Sequence, residues 1–437
     1  MLTNLDWIAT GAKFPPEDEE RRLKRYKEDS DLFKGKTLKV YGDELSLWAS
    51  SLHMKDVDIQ IAIKYPQLLT KKTADFVCGE PVNVDAGDDT DKVVKRLEVV
   101  EFNDTLYESI MDVSRFGNAV LKILDNRISI IPPKNWFPIV DEFDKKHIIN
   151  QVIAFRTEKS IYVEIHYEGY YIRRTYAIVD DVRDEGFCRF GQLLKEETVQ
   201  TNIDDFAVQV LSNVTDSESL YGVSDYDVIK DVHCELVWRL FCLKRILDKH
   251  SAPSLLGNST MLTTDPVTGR EYVRMGNFFV RDTDSIPKPE YLTWDGNVEA
   301  VKWHIDYLTN QMYTLSEMGA AFLEGAGKGE VNSGRALKLR MTSPLIKAQR
   351  ITGKNNTVVK KIIKICSLAG GINIPLEQIA LTWNDGLPND ERDVAEMLNI
   401  ATSGKPFMSQ SAAIKRFMGL SDEETQNQVD LIAVENV

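Results

Sequence analysis

YGVSDYDVIKDVHCELVWRLFCLKRILDKH (221–250) and NVEAVKWHIDYLTNQMYTLSEM (297–318) each repeat apolar side chains at steps of three and four. In the first they are Ile229, Leu236, Leu240, Leu243 and Leu247. In the second they are Val298, Val301, Ile305, Leu308, Met312 and Leu315. That period predicts helices over about 224–250 and 297–318, each with one apolar seam. At 1.5 Å per residue they are rods of roughly 30 to 40 Å. Between them 251–294 is too short for an ordinary domain, and Asp265-Pro266-Val267-Thr268-Gly269 marks a turn inside it. Strands are expected on either side, around Tyr272 and 277–281. The pattern predicts two rods that return on each other with a small β-rich lobe at the tip. A Gly-rich stretch at 321–330 follows, then a third long helix from about Ser333 to Leu368, with a kink or break expected at Gly353.

Working outward, residues 66–220 read as an α+β body. Pro66 opens a helix that Gly79 closes, and a second helix over 103–116 stops at Gly117. Strands at 119–124 and 127–131 meet in a hairpin at Asp125-Asn126. The segments 151–156, 161–167 and 170–178 alternate apolar and polar residues, as antiparallel strands with one wet face do. Their tyrosines (Tyr162, Tyr167, Tyr170, Tyr171, Tyr176) fit cross-strand packing better than a base-stacking surface. Upstream, acids at 17–20 precede Arg21, Arg22, Lys24 and Arg25, which read as the solvated face of a surface helix. Downstream, 381–386 reads as strand and turn, and the tail as helical with a Ser421–Glu424 capping box.

Composition bounds the function. The chain has 437 residues, 43% hydrophobic and 27% charged, so it has ample core. No apolar run reaches the length of a membrane span, and the start lacks the apolar core of a secretion signal. Five scattered cysteines without a CxxC pair are expected to be reduced, mostly buried thiols of a cytosolic setting. A net charge of −14 argues against tight gripping of duplex DNA, whose binding is driven by phosphate neutralisation.

Catalytic patterns fail when tested. Gly327-Lys328 resembles a phosphate-binding loop, but Phe322 stands where the first Gly is needed and Gly329 where Ser or Thr should follow the Lys. The acidic run 85–91 fails as a calcium loop because Arg96 takes the position of the bidentate Glu. Asp180-Asp181 and Asp204-Asp205 are adjacent and would diverge on a strand. No zinc spacing or nucleophile motif appears, so no enzyme activity, cofactor or metal is expected.

The order of local phrases adds a resemblance. ADFVCGEPV (74–82), RFGNAVLKI (115–123), YGVSDYDVI (221–229), LDKHSAP (247–253), SGRALKLRMTSPLIKAQR (333–350) and LTWNDGLPNDERD (381–393) resemble, in that order, the portal (head-to-tail connector) proteins of tailed bacteriophages, siphophage type. The resemblance implies an α+β, multi-domain subunit with an α/β wing (1–220) and stem helices at 221–250 and 295–318. A small β-rich clip (251–294) would lie between these helices. A tunnel loop (319–332), a long channel helix (333–370), a wing return strand (371–388) and a small helical crown (389–437) would follow. Such subunits form a ring, usually of twelve copies, at one capsid vertex of the virion, after assembly in the host cytoplasm. DNA passes along the axis in packaging and ejection. The expected partners are the terminase large subunit, a head-completion adaptor, and the major capsid and scaffolding proteins, with no membrane.

On this reading Glu324, Lys328, Glu330, Asn332 and Arg335 face DNA. Ile229, Leu236, Leu240, Leu243, Leu247, Val301, Ile305, Leu308, Met312 and Leu315 make stem contacts between subunits. Arg270, Tyr272, Arg274, Phe278 and Phe279 meet partners at the clip. The alternatives are another head–tail connector ring without a packaging role, and an enzyme that hydrolyses nucleotide at 325–329.

Overall fold

The computed structural model describes the chain except residues 52–62, 125–126, 183–185, 252–253, 258–262, 265, 273–277, 281–289, 293–297, 320–340, 385–397, 401, 403–407, 419–421 and 436–437. Helix and sheet are mixed throughout. The N-terminal segment carries a short strand β1 (Lys13–Phe14), then helices α1 (Glu20–Phe33) and α2 (Thr37–Ser51). Helix α3 (Tyr65–Cys78) starts with Pro66 in its first turn, and Gly79 donates its N–H to the Asp75 carbonyl at the end. Strand β2 (Asn83–Asp85) leads into α4 (Thr90–Val99) and α5 (Phe102–Phe116). The acidic run between them is a turn, in which Asp85 Oδ1 accepts from Gly87 N–H and Thr90 Oγ. No metal-binding cluster occurs among the described residues.

Two antiparallel sheets follow. β3 (Asn118–Leu124), β4 (Arg127–Ile131) and β10 (Val208–Ser212) form the smaller, in the order β10-β3-β4. β5 (Trp136–Val140), β6 (Ile148–Arg156), β7 (Ser160–His166), β8 (Tyr170–Val182) and β9 (Phe187–Gln200) join β1 in the larger. The tyrosines do pack across strands. Tyr167 and Tyr170 stack at 4.7 Å across the β7–β8 turn, and Tyr162 stacks on Phe155 at 5.5 Å. One face of the large sheet is covered by the N-terminal segment, where Trp7 and Phe14 pack on Phe137 and Phe190. The other face meets the small sheet through Val120, Trp136, Ile153 and Val208. Asp204 and Asp205 lie in a bend before β10 rather than on a strand, and Asp205 pairs with Lys361 at 2.7 Å.

The long helices complete the main core. α6 (Lys230–Ser251) begins six residues later than its apolar period suggests. The backbone N–H groups of Asp225, Tyr226, Asp227 and Ile229 bond locally or to the body instead of propagating a helix. Asp225 N–H, for instance, donates to the Ser114 carbonyl at 2.9 Å. The root of α6 is buried on several sides, by His233, Cys234, Leu236, Val237, Trp238 and Phe241, against α2 and the main core. Beyond it Lys244, Arg245 and Leu247 are exposed, so the helix emerges from the body.

In the following segment β11 (Ser254–Gly257), β12 (Thr263–Thr264), β13 (Glu271–Tyr272), β14 (Phe278–Val280) and β15 (Glu290–Leu292) are short strands, with β12 and β13 pairing across the expected turn. α7 (Val298–Leu315) returns alongside α6. α8 (Thr342–Ala369) runs unbroken through Gly353, contrary to the expected break. A single Gly costs a helix only about 1 kcal/mol, and Ile351, Val359, Ile362 and Ile363 bury its inner face. β16 (Ala380–Thr382) pairs with β2, and α9 (Gln410–Met418) and α10 (Asp422–Glu435) form the helical tail. Ser421 of the expected capping box lies outside the described residues.

Candidate functional site

The emergent helix pair is fixed to the body at one joint, and three of the phrases quoted from the sequence meet there. RFGN supplies the first backbone surface. Gly117 ends α5 at φ +83° with its N–H on the Val113 carbonyl. It lies so close to Gly222 that a Cβ on Gly222 would be 2.0 Å from the Gly117 carbonyl oxygen. Only two glycines allow that approach. Asn118 Oδ1 accepts from Gly222 N–H at 2.9 Å, and Ser224 Oγ donates to the Arg115 carbonyl at 2.7 Å.

Asp225 is the centre of the joint. Its Oδ2 accepts from Ser114 Oγ at 2.6 Å and Thr73 Oγ at 3.2 Å, and its Oδ1 from Asn213 Nδ2 at 2.9 Å. Lys347 of α8 completes the set, with Nζ 2.9 Å from Asp225 Oδ2; both side chains are about nine-tenths buried or more. A buried carboxylate is tolerated when it is paired and fully hydrogen-bonded, and this one is. The same Lys347 Nζ donates to the Ser316 carbonyl at 3.2 Å, just past the end of α7. One ammonium thus joins the entry to α6, the exit of α7 and the long helix α8. Next to it, Tyr226 shares a 2.7 Å hydrogen bond with Thr70 of α3. Asn355 of α8 makes both bonds to the backbone of Ser212 in β10, at 2.8 and 2.9 Å.

The basic run of α1 closes the joint from outside, and the solvated-face expectation fails for two of its members. Arg22 is buried, pairs with Glu19, and donates to the Pro133 and Trp136 carbonyls at 3.0 and 2.8 Å. Its guanidinium lies 4.6 Å from the Tyr221 ring centre. Burial drives the Tyr221 phenol well above its usual range, so it keeps its proton and donates to Glu19. Arg25 reaches the Gly222 carbonyl and faces Asp227 at 3.8 Å. A charge count cannot detect these roles, because apart from Glu19 the acceptors come from distant segments of the chain. Asp29, fully buried and 3.8 Å from Lys230 of α6, has its carboxyl raised to about 7 by desolvation.

Nothing in the joint resembles a catalytic constellation. His233 accepts a hydrogen bond from Tyr41 at Nδ1 and donates from Nε2 to the Ile63 carbonyl, a satisfied core histidine. Burial pushes the thiols of Cys78, Cys234 and Cys366 up to about 12, so none is a nucleophile at neutral pH.

The apolar seams are divided by the structure. Ile229, Leu236, Leu308 and Met312 are buried in the chain's own core, and Leu240 and Ile305 pack against it. Val301 and Leu243 are half-buried. The periodic seam therefore serves α6 against α7 and the body, and those buried side chains are not available to another subunit. Leu247 (56% exposed) and Leu315 (42%) remain open. α7 also carries an exposed aromatic pair outside that seam. Trp303 is 67% exposed and Tyr307 48%, with their rings stacked at 5.7 Å. They are one step of four apart on the outer face, while Leu315, eight residues beyond Tyr307, lies about 80° round the helix toward the inner seam. The signal was present as that spacing, but the stronger inner seam hid it. Val298 belongs to α7, though its side chain lies outside the described set.

Arg270 is exposed, Tyr272 lies in β13, and Phe278 and Phe279 lie in β14. Arg274, and the expected DNA-facing residues Glu324, Lys328, Glu330, Asn332 and Arg335, fall outside the described residues. No described helix is long and apolar enough to cross a membrane.

Comparison with known proteins places this architecture. The model of the family described as "Phage portal protein, SPP1 Gp6-like" matches residues 13–436. No protein with a curated description matches the chain. Similar solved structures include the neck of a native gene transfer agent particle computed with C12 symmetry (10% identity, 82% of this chain and 89% of that chain covered, TM-score 0.46). The virion of a native gene transfer agent particle shows the same coverage and identity at TM-score 0.47. The neck of an empty particle computed with C6 symmetry covers 94% of this chain and 96% of that chain, at 10% identity and TM-score 0.47.

Proposed function

Because the chain belongs to the SPP1 Gp6-like phage portal protein family, we propose that identical copies close into a ring of about twelve at one capsid vertex. Double-stranded DNA would move along its axis in packaging and ejection. The family is one of structural proteins, and the chain acts as a conduit and docking platform while a separate terminase hydrolyses ATP. The observation that carries the ring is the exposed aromatic pair of α7. Trp303 and Tyr307 are large, stacked and left in water by the single chain. Covering them removes on the order of 250 Å² from water, roughly 6 kcal/mol per contact before association costs. A neighbouring α6–α7 pair, presenting Leu247 and Leu315, is the natural cover.

In this assignment residues 1–220 are the wing, α6 and α7 the stem and 251–294 the clip. The clip offers Arg270, Tyr272, Arg274, Phe278 and Phe279 to the terminase and later to a head-completion adaptor. The wing meets capsid and scaffolding proteins. Residues 319–332, with Glu324, Lys328 and Glu330, and the nearby Arg335, collar the duplex. The acidic balance of −14 suits a wall along which DNA slides. The joint at Asp225 and Lys347 supports this reading, since Lys347 ties the entry to α6, the exit of α7 and α8 together.

Negative-stain imaging of the purified protein is expected to show twelve- or thirteen-fold rings, and the Trp303→Asp/Tyr307→Asp variant single subunits. A wild-type protein that stays monomeric at high concentration overturns the ring. Shortening 319–332 in assembled rings is expected to impair packaging or retention of DNA; full packaging by that variant overturns the collar role.

A further inference from the structure

A second pair of surfaces, outside the α6–α7 pair, carries charges that complement each other. The turn between β5 and β6 presents Phe143 at 96% exposure. It is a built turn. Asp141 Oδ1 accepts from the N–H groups of Phe143 and Asp144, at 2.8 and 3.0 Å. Asp144 Oδ1 accepts from Lys146 N–H at 2.9 Å, and backbone bonds from Asp141 N–H to His147 and from His147 N–H to Asp144 close the loop. Lys146 Nζ is spent on the Asp216 carbonyl. The outcome is an aromatic ring held out from the body with Asp141, Glu142 and Asp144 around it and Lys145 exposed beside them. Its ordering cost is already met before any partner arrives.

At the other end of β6 lies a cleft of about 890 Å³ beside α1. Leu23, Ile130, Pro132 and Phe155 give it apolar walls. Lys27, Lys34, Lys39 and Lys134 stand around it, exposed, with no carboxylate within 4 Å among the described residues. Its own carboxylates are engaged, Asp112 with Arg115 at 3.1 Å and Asp31 with Lys36 at 3.9 Å. This is a cationic site on a chain of net charge −14.

We propose that Phe143 of one copy, with Glu142 beside it, seats in the Lys27–Lys34–Lys39–Lys134 cleft of the next copy. The proposal rests on the ring reading and adds a second, polar-rimmed contact to it at the level of the wing. The occupant is a second copy for two physical reasons. The nine residues of β6 separate turn and cleft by roughly 26 Å, so Phe143 cannot seat in the cleft of its own chain. Pairing the cleft with itself would oppose its four lysines, whereas the turn brings three carboxylates. The charge pattern therefore favours turn against cleft over cleft against cleft, and the ring reading makes that contact head-to-tail.

The test uses the full-length protein. In the Phe143→Cys/Pro132→Cys variant, mild oxidation is expected to give a ladder of covalent oligomers ending at the ring, absent from either single variant and from the wild type. Phe143→Asp is expected to raise the concentration needed for assembly at least tenfold while leaving the circular dichroism of the subunit unchanged, since the ring packs on nothing within its own chain. Lys34→Glu/Lys134→Glu is expected to do the same, and mixing it with Glu142→Lys to recover assembly. Wild-type rings that persist in Phe143→Asp at unchanged concentration, with no ladder from the cysteine pair, overturn this contact and leave the ring reading standing. A wild type that forms no ring overturns both. Cross-linking of residue 143 to another particle protein in place of a second copy also overturns it.

Discussion

Replacing Lys347 with Met tests whether the joint is a single unit. The substitution keeps the aliphatic stem and removes the ammonium that sits 2.9 Å from Asp225 Oδ2 and 3.2 Å from the Ser316 carbonyl. Breaking a buried ion pair from one side costs about 3–5 kcal/mol, because the remaining charge is left uncompensated. Asp225 keeps its hydrogen bonds from Thr73, Ser114 and Asn213, which places the loss near the lower end, ~3 kcal/mol. That is a shift of more than a hundredfold in the folding equilibrium, read as a lower urea midpoint at fixed protein concentration with an unchanged slope. Asp225→Asn alone should also destabilise, by stranding the ammonium. The double variant, with no charge left in the joint, should lose less than the sum of the two singles by about 2 kcal/mol. A single-variant loss below about 1 kcal/mol, as for an exposed pair, or additivity within about 0.5 kcal/mol, would refute the buried-keystone reading.

Three further outcomes follow from particular positions. Gly222→Ala places a methyl 2.0 Å from the Gly117 carbonyl oxygen, so backbone must move; little soluble folded protein is expected, and a normal melting temperature would show that the two loops part freely. Gly353→Ala meets nothing within 4 Å inside α8 and is expected to stabilise by about 0.5–1 kcal/mol, seen as a raised melting temperature. Asp29→Asn addresses pH. Burial raises this carboxyl from 3.8 to about 7, so the folded state holds the proton more tightly than the unfolded state. Its contribution to stability therefore falls as pH rises from about 4 to 7, by on the order of 4 kcal/mol. The Asn variant should melt higher than wild type at pH 8 and lose that advantage near pH 4; an equal difference at both pH values refutes the assignment.

Local rules were enough for much of the architecture. Alternation at 151–178 specified three antiparallel strands, and Pro66, Gly79 and Gly117 marked helix ends where they occur. These are decided by backbone preference and by nearest neighbours in the chain. The mixed helix-and-sheet class and the two long helices were equally legible. The ordered phrases also pointed to the family that the match over 13–436 shows.

What the period of α6 and α7 did not contain was the partner of each face. An apolar seam has the same spacing whether it packs on its own chain or on another, because hydrophobic burial is non-directional. Only the tertiary structure turned Ile229, Leu236, Leu308 and Met312 inward and left Trp303 and Tyr307 outside. In the same way Arg22, Asp225 and Lys347 look like ordinary surface charges in the sequence. Their burial is decided by acceptors and donors that the fold brings from distant segments, and a charge is held in the interior only where all of those arrive together.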